Sequence, residues 1–166
     1  MPRVPDEYLD CVVYLYPSIP AAESGQKVGG TGFIITMASA EEPSSHLHYV
    51  VTNKHVVDGG NTTVRFNTPL GGHDSREYDE RNWIRSFDSD LATYLLPTLS
   101  SSDVFYRPVS RSQFITKDRI KLLDMGIGDE VFYAGRFINA EGKQRNRPSL
   151  RFGTIAQINT DIIERD

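Results

Sequence analysis

Apolar runs and polar punctuation divide this chain into short extended segments. Residues 8–16 hold the run Cys11-Val12-Val13-Tyr14-Leu15-Tyr16, β-branched and aromatic and stopped by Pro17 and Pro20, which predicts a strand. Residues 18–28 are small, polar and charged, and read as a loop. Residues 29–37 form a second strand, led by Gly29-Gly30-Thr31-Gly32 and continued by Phe33-Ile34-Ile35-Thr36-Met37. After a loop over residues 38–45, residues 46–53 form a third strand that delivers His55 into a turn signalled by Asp58-Gly59-Gly60. An alternating fourth strand covers residues 62–66, and residues 70–79 read as a loop. A short strand over 82–87, the turn Asp88-Ser89-Asp90 and a buried strand over 91–96 complete the first hundred residues.

About six short strands with Gly, Pro, Asn and Asp between them, and no sustained helical period, predict an all-β barrel or sandwich. Leu99-Ser100-Ser101-Ser102-Asp103 reads as a linker, so the chain divides into residues 1–99 and 100–166. Beyond it, residues 116–123 carry one or two helical turns. Strands over residues 130–134 and 150–158, the second distorted at Gly153, form a long hairpin around a polar loop at 136–149. Two or three strands neither close a barrel nor cover both faces of a sheet. The second lobe is therefore expected to be incomplete, its remainder supplied by the parent chain or by another chain.

Composition narrows the partners. With 166 residues, 39% hydrophobic and 24% charged, the chain is long enough for a real core. A net charge of −4 argues against nucleic acid, whose phosphates require a basic surplus. The single cysteine, Cys11, forms no internal disulfide. The N-terminus lacks a signal-peptide core, and no apolar run approaches the roughly 18 residues of a membrane span. The expected location is cytoplasmic, with no membrane partner. Asn61-Thr62-Thr63 has the form of a glycosylation acceptor but reads as a polar turn.

The candidate chemistry centres on His55. A histidine at the mouth of an apolar strand acts as a general base if a carboxylate holds its other nitrogen and fixes the tautomer. Asp90 suits that task, because it sits where a polar turn enters a buried strand. Asp88 competes, but Asp90 directly abuts the apolar residues. Other signals fall away. The glycines at 25–32 lead into a strand rather than a helix, so no phosphate loop is expected. His46-Leu47-His48 lacks a third ligand, so neither metal nor cofactor is expected. Arg136, Lys143, Arg145, Arg147 and Arg151 read as a solvated basic hairpin.

Three features in fixed order carry a family likeness. In Gly30-Thr31-Gly32-Phe33-Ile34-Ile35, Val51-Thr52-Asn53-Lys54-His55-Val56-Val57 and Asp90-Leu91-Ala92, the chain resembles the chymotrypsin/trypsin-like serine peptidases, bacterial HtrA-related forms most closely. Weaker matches follow at Gly128-Asp129-Glu130-Val131 and Arg151-Phe152-Gly153-Thr154-Ile155. The resemblance implies a chymotrypsin-like double β-barrel, its first barrel complete in residues 1–99 and its second only partly present in 100–166. It implies a serine endopeptidase acting on polypeptide, with His55 as general base and Asp90 as its orienter. That family's nucleophile lies in Gly-x-Ser-Gly on the second barrel, after both. Ser24, Ser100, Ser101, Ser102 and Ser149 lie outside such a motif, and Cys11 sits on the wrong side of His55 in chain order. The resemblance thus places the nucleophile outside this chain, which alone is expected to be inactive. A peptidase-like binding or regulatory module is the alternative.

Overall fold

A computed structural model describes residues 3–42, 44–136 and 144–158. Its strands are β1 (Val12–Tyr16), β2 (Gly30–Ala38), β3 (His46–Thr52), β4 (Thr63–Asn67), β5 (His73–Glu77), β6 (Ile84–Arg85), β7 (Ala92–Leu95), β8 (Val109–Ser110), β9 (Glu130–Gly135) and β10 (Ser149–Thr154). Three short helices accompany them: α1 (Ile19–Ser24), α2 (Lys54–Asp58) and α3 (Lys117–Leu122). The expected all-β character holds. Part of the predicted loop at 136–149, namely residues 137–143, lies outside the described residues.

Eight strands form one sheet in the order β5-β4-β1-β2-β3-β7-β6, with β8 added to β2 in parallel. The central strand β1 is a continuous apolar run because both of its faces are covered. Val13 and Leu15 enter the main core with Ile34, Val50, Val56, Val57, Val64, Phe66, Trp83 and Ala92. Val12, Tyr14 and Tyr16 point the other way, into a second cluster with Ala22 of α1, Val109 of β8 and Ala134 of β9. Each fully buried Val, Leu, Ile or Phe among them contributes about 1.5–3 kcal/mol by leaving water. Gly32 is required where β2 crosses this core. A Cβ there would lie 2.8 Å from the Val51 carbonyl oxygen and 3.0 Å from Leu15 Cδ1.

The sheet curls without closing. Six inter-strand steps of about 4.8 Å would hold the ends of a flat sheet about 29 Å apart. Residues 78–83, which join β5 to β6, span at most about 25 Å when extended, and the 3-10 turn Glu80–Asn82 shortens them. The two ends meet through side chains, with Tyr94 lying 4.5 Å from Tyr78 and 5.3 Å from Trp83, centroid to centroid. A ladder between β5 and β6 is absent among the described residues. The sheet is therefore curled, with aromatic packing between its two ends.

Several local expectations change. The loop predicted at 18–28 contains α1, started by Ser18, whose hydroxyl accepts from the Ala21 N–H, and by Pro20 in the first turn. The loop predicted at 70–79 contains β5, an edge strand with no apolar residue in it, paired with β4 from Thr63↔Glu77 to Asn67↔His73. The strand predicted over 82–87 shortens to Ile84–Arg85. The long hairpin is present as β9–β10, a separate two-stranded sheet with Val131, Phe132, Tyr133 and Phe152 38–55% exposed.

Candidate active site

The site begins where β3 ends. Thr52 Oγ1 donates to the Thr31 carbonyl at 3.0 Å, which ties the end of β3 to the start of β2. The chain then enters α2 rather than the predicted turn. Val56 and Val57 are buried and pin the helix to the core. Gly30 lets β2 pass beneath it, since a Cβ there would fall 2.6 Å from Val56 Cγ2. Asn61 closes the far end, its Nδ2 donating to the Val56 carbonyl at 3.0 Å. The amide in the glycosylation-like triplet is thus part of the fold. With this face fixed inward, His55 is turned outward, its side chain 72% exposed.

Asp90 arrives on the loop between β6 and β7, which is closed by its own hydrogen bonds. The Ser86 N–H donates to the Leu91 carbonyl at 2.8 Å, Ser86 Oγ donates to Asp88 Oδ1 at 2.8 Å, and Ser89 Oγ donates to Ser86 Oγ at 2.7 Å. Asp88, the competing carboxylate, is therefore engaged within its own loop. Helix α2 grips this loop at several points. Lys54 Nζ donates to the Ser86 carbonyl at 3.3 Å, and Arg85 Nε donates to Asp58 Oδ1 at 2.8 Å.

These tethers bring the two expected residues together. His55 Nδ1 lies 2.6 Å from Asp90 Oδ2, and the His55 backbone N–H donates to Asp90 Oδ1 at 2.9 Å. One carboxylate thus holds both the ring and the main chain of the same histidine. Asn53, which the sequence reading passed over, adds a third donor: its Nδ2 reaches Asp90 Oδ2 at 3.1 Å and the Asp90 carbonyl at 3.2 Å. An Asn two residues before the histidine was the available signal.

These hydrogen bonds set the protonation pattern. The His55 backbone N–H, followed by the His55 ring and Asn53, holds the Asp90 carboxyl below its usual range, against partial desolvation. An ionised carboxylate only accepts, so Nδ1 carries the proton and neutral His55 presents a lone pair on Nε2. Nε2 makes no hydrogen bond among the described residues. A depressed pKa contributes stability above the ordinary aspartate range, and that stability is lost as pH falls through Asp90's own lower value. Asp90→Asn will therefore lower the urea midpoint by a steady amount near neutrality. The gap from the unmodified protein will close in strong acid, as urea titrations at stepped pH will read.

The remaining candidates lie elsewhere. His48 Nδ1 is 2.8 Å from the Tyr106 hydroxyl, and no group of three metal-binding side chains occurs among the described residues. Cys11 is buried, its thiol pKa pushed up by desolvation and its Sγ donating to the Tyr8 carbonyl at 3.3 Å. What the pair offers chemically is an oriented base with an open acceptor nitrogen. Comparison with known proteins finds no matching family model, no matching curated protein and no matching solved structure.

Proposed function

We propose that this chain carries the base and its orienter for a trypsin-like serine endopeptidase, the nucleophilic serine lying outside these 166 residues. The observation that carries the reading is the 2.6 Å contact of His55 Nδ1 with an ionised Asp90, which leaves Nε2 free to take a proton. In the proposed reaction a serine hydroxyl attacks a peptide carbonyl and its proton passes to Nε2. Asp90 stays ionised and stabilises the imidazolium, which then protonates the leaving amine. Water repeats the cycle to release the acyl group. The curled eight-stranded sheet is read as the first barrel, and the β9–β10 hairpin as the start of the second. The absence of any Gly-x-Ser-Gly in the sequence supports placing the nucleophile elsewhere.

A fluorophosphonate probe tests this directly. The 166-residue chain alone will not label, and labelling would refute an external nucleophile. The full-length protein will label, and the His55→Ala form will lose the signal. Labelling that survives His55→Ala overturns the mechanism. A full-length protein that never labels would instead be a peptidase-like binding module.

A further inference from the structure

Asn53 occupies the N-cap of α2 without capping it. An asparagine there ordinarily turns its side-chain oxygen to the free N–H groups of the first helical turn. Here Asn53 makes no such bond. The N–H that needs a partner, that of His55, is taken by Asp90 Oδ1 at 2.9 Å, from a loop 35 residues further along the chain. The Asn53 amide is thereby released to donate twice to Asp90, to Oδ2 at 3.1 Å and to the main-chain carbonyl at 3.2 Å. Carboxylate and amide have exchanged duties.

This exchange matters because Asp90 is half exposed, its side chain 48% accessible. A carboxylate in that setting is free to turn among rotamers unless several donors fix its plane. The His55 N–H fixes Oδ1, but the ring that donates to Oδ2 is itself 72% exposed and packs against little else. Asn53 supplies the second fixed point, and by holding the Asp90 main chain it also fixes the base of the side chain. Lys54 holds the opposite end of the same loop at Ser86. Asn53 belongs to neither core cluster.

We infer that Asn53 is a positioning residue, whose amide locks the plane of the Asp90 carboxylate so that Oδ2 meets His55 Nδ1. Its catalytic consequence rests on the peptidase reading above; the geometry itself is testable without it. The neutral side chain of a free histidine favours the Nε2–H tautomer, so the Nδ1–H form reports an engaged Asp90. The experiment is side-chain 15N and carboxyl 13C NMR of the 166-residue chain. Unmodified protein will show His55 mainly as the Nδ1–H tautomer and Asp90 titrating below an ordinary aspartate. Asn53→Ala will move the tautomer ratio toward that of a free histidine side chain and raise the Asp90 midpoint, and Asn53→Asp will do so further through like-charge repulsion. The backbone amides of β3 and β7 will stay in place, which separates this effect from unfolding. An Asn53→Ala protein with unchanged tautomer and unchanged Asp90 midpoint overturns the inference. In the full-length protein the same change will lower kcat about 10- to 100-fold at unaltered KM. Absence of probe labelling in every variant overturns the peptidase reading and leaves the NMR result on Asn53 standing.

Discussion

Arg65→Ala will destabilise the protein by about 3–5 kcal/mol, read as a fall in the urea midpoint. Arg65 is fully buried on β4. Its guanidinium carbon lies 5.6 Å from the Tyr14 ring centroid and 4.9 Å from that of Tyr16. Nη1 donates to the Ala22 carbonyl of α1 at 2.9 Å, and Nε donates to Asn146 Oδ1 at 2.9 Å. Burial pushes the guanidinium pKa down, and the two tyrosines oppose that shift.

Asn146 is itself only 1% exposed and is held by reciprocal bonds. It donates to the Arg65 carbonyl through Nδ2 at 2.6 Å and to Asn67 Oδ1 through its backbone at 2.7 Å. Removing the guanidinium strands Asn146 Oδ1 away from water, leaves the Ala22 carbonyl with the Gly25 N–H as its remaining donor, and opens the gap between two rings. Arg65→Met fills that gap but leaves Asn146 Oδ1 unmatched, so it will recover only part of the loss. Arg65→Lys retains the charge but offers neither the planar stack nor the two-directional fork. A double-mutant cycle with Asn146→Ala will show coupling above about 1 kcal/mol, because the two side chains form one network. Additive losses would show instead that the clasp between β4 and the segment around residue 146 is incidental.

On the proposed peptidase reading, the largest effects on activity are expected at the Asp90–His55 pair. If the proposed peptidase is active with its nucleophile in place, Asp90→Asn will lower kcat about 10,000-fold while the fold persists. The reason is the tautomer. An amide can present its own N–H to His55 Nδ1, which moves the imidazole proton to Nε2, and Nε2 then has no lone pair to receive the nucleophile's proton. His55→Ala removes the base outright and will cost on the order of a millionfold. Peptide hydrolysis at saturating substrate measures both. An Asp90→Asn enzyme within tenfold of the unmodified rate would show that the 2.6 Å contact serves the fold and not the reaction.

How much of this was legible depended on how local each signal is. The strands β1, β2 and β3 could be read because Val12-Val13-Tyr14-Leu15-Tyr16, Phe33-Ile34-Ile35 and Tyr49-Val50-Val51 are apolar runs of strand length, and burial on a sheet demands such runs. The polar strand β5 could not. His73-Asp74-Ser75-Arg76-Glu77 has no apolar residue, and it is extended because β4 offers it a free ladder edge. The helix α1 was readable in principle from Ser18 and Pro20, yet its small polar residues masked it. The two-residue strands β6 and β8 exist only through their partners, β7 and β2.

The sequence by itself determined an all-β chain with a histidine at the exit of one strand and an aspartate at the entry to another, since these are properties of neighbouring residues. Only the tertiary structure decided that the sheet curls until α2 meets the β6–β7 loop and that the Asp90 carboxylate caps the helix carrying His55. It also decided that Asn53 braces that carboxylate and that Arg65 and Asn146, 81 residues apart, share one buried network. A hydrogen bond between distant segments carries no local sequence signature. Its two halves look like ordinary polar residues until packing of the core brings them within about 3 Å.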